Sequence, residues 1–288
     1  QVKTKSNLFF LSVVFAVLLF LVNSEKLSMN FKLEICVDSL ESAMNAQSAG
    51  ADRIELCDNL AEGGTTPSYG TIAAAIENLN IGVHVLIRPR GGDFLYSRQE
   101  FDIILEDIEI CKEFMADGIV TGLLNADGTI DVERTRYLVK AAAPMNVTFH
   151  RAFDLCSDPV KSLEDVIMTG ATRILTSGQM RFAIEGAELI SRLVRIAGER
   201  IVIMPGSGID ESNIATIAEL TGAKEFHLTG RKSVDSKMIF RREGIPMGGF
   251  PELSGYTRKV ADTEKIMKII NITIKIALVF LFLESLPR

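Results

Sequence analysis

A chain of 288 residues that sets 37 acidic against 31 basic side chains carries a formal charge of −6. With no Lys/Arg cluster and no aromatic platform for stacking bases, that balance argues against a nucleic-acid surface. The four cysteines, at positions 36, 57, 111 and 156, lack the clustered spacing of a disulfide framework and read as thiols of a reducing compartment.

At the N-terminal end, Lys3 and Lys5 precede the apolar stretch from Leu8 to Val22, broken only by Ser12 and followed by Asn23-Ser24. This has the grammar of a signal peptide and is short for a spanning helix. Met29 stands just ahead of the first predicted strand. Residues 1–28 therefore read either as a signal-like segment leading to the secretory pathway or as an upstream extension, with a cytoplasmic protein starting at Met29. The scattered thiols favour the second reading.

The tetrad Leu33-Glu34-Ile35-Cys36 returns with its aliphatics exchanged as Ile54-Glu55-Leu56-Cys57. Side chains alternate along a strand, so each tetrad sends a carboxylate and a thiol to one face and two aliphatics to the other. Between the copies, Asp38-Ser39-Leu40-Glu41 offers an acidic or hydroxyl N-cap, and an Ala-rich stretch runs to Gly50. Strand, helix and strand in about 25 residues make a compact parallel βαβ unit, which sets the two tetrads on neighbouring strands.

The joint Gly50-Ala51-Asp52-Arg53-Ile54 recurs as Gly170-Ala171-Thr172-Arg173-Ile174 and, more loosely, as Gly222-Ala223-Lys224-Glu225-Phe226, the mark of repeated βα units. Apolar runs bounded by turn residues predict strands at 33–37, 53–57, 83–88, 118–122, 146–150, 173–176, 201–204 and 225–229. Helical stretches fill the gaps: Asp158-Pro159 is an N-cap with proline at N1, opening a segment that ends at Gly170, and Asp210-Glu211 opens another that ends at Gly222. The pattern predicts an α/β fold, a single-domain (β/α)8 TIM-type barrel over residues 29–275; a doubly wound open sheet is the competing arrangement. From Ile266 to Leu283 the chain is apolar apart from Lys268, Asn271, Thr273 and Lys275. Its front half suits the last barrel helix. Residues 276–288 form an apolar tail too short to cross a bilayer alone, and membrane contact is expected only through the two apolar ends.

Chemistry in such a barrel gathers where strands end and βα loops begin, and these ends are polar. They include Cys36-Val37-Asp38, Cys57-Asp58-Asn59, Arg88-Pro89-Arg90-Gly91-Gly92-Asp93, His150-Arg151-Ala152-Phe153-Asp154, Thr176-Ser177-Gly178 and Pro205-Gly206-Ser207-Gly208, with His227 within the eighth strand. The runs Glu34-Ile35-Cys36-Val37-Asp38-Ser39, Gly50-Ala51-Asp52-Arg53-Ile54-Glu55-Leu56-Cys57, Glu62-Gly63-Gly64-Thr65-Thr66-Pro67-Ser68, Ile87-Arg88-Pro89-Arg90-Gly91-Gly92-Asp93-Phe94, Thr148-Phe149-His150-Arg151-Ala152-Phe153-Asp154 and Met204-Pro205-Gly206-Ser207-Gly208-Ile209 resemble the CutC copper homeostasis proteins over roughly Met29 to Asp262. The resemblance implies a TIM-type barrel, association into homo-oligomers and a link to copper. It also implies that Cys36 and Cys57, matching family cysteines proposed as Cu(I) ligands, are metal ligands here. The apolar ends depart from the family pattern, as does Ser207, which stands where the motif carries a third glycine.

The chemistry of the residues leaves two functional readings. Cu(I) is soft, prefers thiolates and tolerates two or three ligands, so Cys36 and Cys57 could close on one copper ion; buried cysteines are also ordinary small hydrophobes. The alternative is an enzyme acting on a small anionic, possibly phosphorylated, metabolite. There Glu34, Glu55, His150, Asp154 and His227 would supply acid/base groups, with Asp93 or Asp154 partnering a histidine. Arg88 and Arg90 would clamp the anion, aided by Arg151 and by Gly206, Ser207 and Gly208 ahead of a helix starting near Asp210. Carboxylates inside a strand need partners, and Arg53, Arg88, Arg90 and Arg151 are the available ones. No lysine ends a predicted strand, and no G-x-S-x-G elbow, Walker loop or zinc signature occurs.

Overall fold

A computed structural model describes residues 31–242, 244–245 and 255–284; the signal-like segment 1–28 lies outside them. The first strand, β1 (Lys32–Val37), shows why the inner runs form strands. Leu33, Ile35 and Val37 join the apolar cluster under the helices, whereas Glu34 and Cys36 face the barrel interior. After it come α1 (Leu40–Ala49), β2 (Arg53–Leu56), α2 (Tyr69–Asn78), β3 (Gly82–Leu86), α3 (Arg98–Glu113) and β4 (Gly118–Thr121). The second half continues with α4 (Val132–Ala142), β5 (Asn146–Phe149), α5 (Pro159–Thr169), β6 (Arg173–Thr176), α6 (Ala187–Ala197), β7 (Val202–Pro205), α7 (Ile214–Thr221) and β8 (Glu225–Leu228).

Strands β1 to β7 lie side by side in sequence order, and β8 pairs with the far side of β1. Every pairing is parallel, and a bridge between Gly206 and His227 closes β7 against β8. The result is a TIM-type barrel. A doubly wound sheet would reverse strand order part-way along, and no such reversal occurs.

Local signals fix the joints. Gly50, Gly170 and Gly222 each end a helix in the left-handed region, at φ of 92°, 87° and 70°, as the repeated joint predicts. Asp158 caps α5 by accepting from the amides of Val160 and Lys161, with Pro159 in the first turn. Of the acidic and hydroxyl N-cap candidates, it is the hydroxyl of Ser39 that caps α1, by accepting from the Ser42 amide. One helix start differs from expectation. The helix expected near Asp210 begins at Ile214, because Asp210 turns its carboxylate onto the amide of Ser212 at 2.8 Å and forms a separate turn.

One addition to the barrel carries no apolar signature. Strands β9 (Arg231–Asp235) and β10 (Thr257–Ala261) form an antiparallel ribbon after β8. From it the chain enters α8 (Thr263–Glu284), which packs on α1 and α7 and buries Ile266 and Ile269. This helix runs unbroken past residue 275, where the tail was expected to begin; residues 285–288 lie outside the described ones. No helix among the described residues is long and apolar enough to cross a membrane.

Candidate functional site

The barrel interior is ionic where an ordinary TIM barrel is aliphatic. Strand register sets Glu34 level with Arg53 on one side and His227 on the other. Glu34, with 0% exposure, accepts from Arg53 Nε at 2.5 Å on Oε2, and His227 Nδ1 lies 2.8 Å from its Oε1. Arg53 Nη2 and Arg173 Nε both donate to Glu225 Oε2, at 2.6 and 2.7 Å. Burial pushes the Glu34 carboxyl up, but the His227 hydrogen bond and the Arg53 charge override it and hold Glu34 well below the usual carboxylate range. Glu225 is lowered against burial in the same way, by Arg173 and Arg53. His84 lies beside them, its Nδ1 3.7 Å from Glu34 Oε2, and burial drops it to about 4, so it is neutral.

One layer toward the strand ends, Cys36 is level with Glu55. Its Sγ lies 3.6 Å from Cys57 Sγ, and Cys57 Sγ lies 3.4 Å from Glu55 Oε2. His227 Nε2 reaches to 3.7 Å from the same carboxylate oxygen. The hydrogen bond from the Cys57 thiol, working against burial, lowers Cys36 to about 5. Burial, with the Cys36 thiolate as neighbour, pushes Cys57 and Glu55 well above their ordinary ranges. Against burial, the acidic groups Glu55, Cys36 and Glu34 raise His227. Glu34, Glu225 and Cys36 thus face Arg53, Arg173 and His227 across the interior, and burial favours the neutral forms of Cys57 and Glu55. An unbalanced set would carry a large desolvation cost.

Above the thiols opens a cavity of about 600 Å³. Of the residues singled out in the sequence, Cys36, Glu55, His227 and His150 line it. Arg88, Arg151, Asp154, Ser207 and Gly208 complete its predicted rim. Glu34 lies a layer below, and Gly206 sits at the β7–β8 closure with no room for a Cβ against Leu175.

The two guanidiniums of Arg88-Pro89-Arg90 do not converge. Arg90 turns to Glu100 at 2.5 Å and Asp93 at 3.0 Å, because Glu100 is fixed at the N-terminus of α3 by the capping box with Ser97. Arg88 alone enters the cavity wall. Nor do the two aspartates serve the histidines. Asp93 holds Arg90, while Asp154 holds Arg151 at 2.7 Å and accepts from Thr176 Oγ1 at 2.5 Å. The Gly206-Ser207-Gly208 turn does not feed a helix N-terminus, α7 starting only at Ile214; Ser207 has φ of 83°, the region that favours glycine.

Glu225, Arg173, His84 and Met204 belong to the interior network and were not singled out in the sequence; Met204 Sδ lies 3.1 Å from Arg53 Nη2. A signal for two of them was present. Arg173 stands in the repeated joint where Arg53 stands, and Glu225 is two residues from His227 and so shares its face.

Two trios of buried groups present donor atoms within 4.8 Å of one another: Cys36, Glu55 and Cys57, and Glu34, Glu55 and His227. The second is already engaged, since Glu34 is the counter-ion of Arg53. The first contains both thiols and opens on the cavity through Cys36 and Glu55.

The comparisons agree with this fold. The CutC family pattern matches residues 31–232. A CutC family protein of Chromobacterium violaceum is 56% identical over 216 residues, covering 75% of this chain and 87% of the relative. The human copper homeostasis protein cutC homolog is 49% identical over 236 residues, covering 82% and 86%. The solved structure of CutC from Streptococcus agalactiae has a TM-score of 0.66 at 40% identity, covering 69% of this chain and 98% of that one. A closed eight-stranded barrel, the paired Glu and Cys strands and matches of this extent together make the chain a member of the CutC family.

Proposed function

We propose that this protein serves copper homeostasis by holding Cu(I) between Cys36 and Cys57, with the carbonyl oxygen of the neutral Glu55 carboxyl as a weak third donor. The observation that carries the reading is the 3.6 Å separation of the two sulfurs on neighbouring strands. With metal–thiolate bonds of about 2.3 Å, that separation gives an S–metal–S angle of about 100°. This is bent, as in a three-coordinate site, and Glu55 Oε2 lies 3.4 Å from Cys57 Sγ. Two soft thiols and one oxygen suit Cu(I) better than Zn(II), which usually takes four ligands.

Charge supports the same choice. Cys36 already carries the negative charge that a soft cation needs. Entry of Cu(I) with loss of the Cys57 proton leaves the interior charge unchanged, because one positive charge replaces another. Zn(II) would add a net charge inside a desolvated barrel unless Glu55 also ionised. The relatives' copper homeostasis names point the same way.

The enzyme reading with Glu34 as a proton carrier fits less well, since Glu34 is locked as a carboxylate between Arg53 and His227. Anaerobic competition against a chromophoric Cu(I) chelator tests the proposal: one equivalent should bind the native chain and none the Cys36→Ala/Cys57→Ala variant. Equal stoichiometry in both would remove the cysteines from the role.

A further inference from the structure

A buried guanidinium normally faces a carboxylate, and Arg88 does not. Only 6% exposed, it donates from Nη1 to the carbonyls of Glu62 at 2.9 Å and Gly64 at 2.6 Å, and from Nη2 to that of Gly92 at 3.0 Å. No carboxylate of the described residues makes an ion pair with it, its Nε has no hydrogen-bond acceptor, and the Tyr96 hydroxyl beside it is neutral, burial pushing that phenol up to about 12. The carbonyls hold the guanidinium in place without neutralising it.

A second unmatched donor belongs to the same wall. His150, 5% exposed, accepts the Ala152 amide on Nδ1 at 3.2 Å, which puts the ring hydrogen on Nε2. That Nε2 is buried with no partner. Phe94 ties the two together, its ring centroid 5.2 Å from Arg88 Cζ and 4.7 Å from the His150 ring. All three residues line the cavity, with Leu60, Leu86 and Leu175 beside them, while the other lining arginines are paired, Arg151 with Asp154 and Arg231 with Asp38. Buried polar groups without partners carry a free-energy cost that a bound acceptor would relieve.

We infer that the cavity is a binding site for a small organic carboxylate, its head group received by Arg88 and His150 and its apolar body lying along Phe94 and Leu86. Three of the five N–H groups of Arg88 are held by backbone carbonyls, which leaves Nε and one hydrogen of Nη2 for an incoming oxyanion, and the choice between carboxylate and phosphate rests on charge. One uncompensated positive charge and a neutral imidazole match a monoanion with two oxygens, whereas a phosphate dianion would bring one charge too many into a wall that also contains Cys36 and Glu55. The site shares its cavity with Cys36 and Glu55 but uses other donors, and it is tested on metal-free, reduced protein, so failure of one reading leaves the other standing.

The experiment is thermal unfolding of the full chain with sodium acetate, hexanoate or phenylacetate, against phenylacetamide and inorganic phosphate at matched ionic strength. A ligand that binds only the folded state raises the melting temperature with concentration. The carboxylates should do so, hexanoate and phenylacetate at lower concentration than acetate, while phenylacetamide and phosphate leave the temperature unchanged. In the native protein, which has only three histidines, the His150 Nε2 resonance should move on adding hexanoate. His150→Leu should weaken hexanoate by about tenfold or more, the loss of one hydrogen bond to a charged group. A rise produced equally by phosphate would overturn the carboxylate assignment, and one produced equally by phenylacetamide would overturn the anion site. No rise with any carboxylate, or an unmoved His150 signal, overturns the inference without recourse to a variant.

Discussion

Replacing Arg53 by Met removes the cation that two buried carboxylates share. Glu34 loses its 2.5 Å bond and keeps only His227, while Glu225 retains Arg173 at 2.7 Å. Breaking a buried pair by deleting one partner costs about 3–5 kcal/mol. At about 2–4 °C per kcal/mol for a domain of this size, the melting temperature should fall by about 6–20 °C near pH 7. The pH dependence follows from the direction of the shifts. Glu34 and Glu225 are held below the ordinary value of 4.5 in the folded chain, so their contribution is fully present above that pH and is lost as pH falls through the folded values. Without Arg53 the Glu34 carboxyl rises, and protonation at low pH relieves the unpaired charge. The difference between native and variant should therefore shrink toward pH 4. Calorimetry of both proteins from pH 4 to 8 measures it. A loss below about 1 kcal/mol, or one as large at pH 4 as at pH 7, would refute the idea that the barrel interior is held by this pair.

Gly122→Ala would set a Cβ 2.6 Å from His150 Nδ1 and 3.2 Å from Ala152 Cβ, so overpacking should cost about 1–3 kcal/mol and displace the imidazole, seen as a lower melting temperature and a moved His150 ring resonance. Phe226→Ala, at a fully buried position packed on Phe31, should cost about 3–5 kcal/mol in denaturant unfolding. Alkylation by iodoacetamide should single out Cys36: its rate should rise through pH of about 5 and level off above it, while Cys111, pushed by burial up to about 12, stays silent at pH 8. Addition of Cu(I) at pH 7 in weak buffer should release about one proton per ion, the one on Cys57; release of none would mean that Cys57 is not a ligand.

The barrel was legible because strands covered on both faces leave continuous apolar runs, and because the joint after Gly50 repeats after Gly170. The β9–β10 ribbon was not, since Arg-Lys-Ser-Val-Asp and Thr-Arg-Lys-Val-Ala are half-exposed segments with no long apolar run. The shared wall of Glu34, Cys36, Glu55 and Cys57 followed from period-two alternation alone. What alternation leaves open is the level at which neighbouring strands meet. That register sets Glu34 beside Arg53 and His227, and Cys36 beside Glu55, and it decides which arginine neutralises which carboxylate. The rim was harder to read for a different reason: Arg88 and Arg90 are two residues apart, yet the capping box of α3 draws Arg90 away and three carbonyls hold Arg88 in place.

X-ray absorption at the copper edge, on the Cu(I)-loaded native protein, tests the metal site most directly. Two sulfur neighbours and one lighter donor are expected, replaced by a different environment or by no bound copper in the Cys36→Ala/Cys57→Ala variant. A copper shell of nitrogen and oxygen alone in the native protein, or the same spectrum in both, would contradict it.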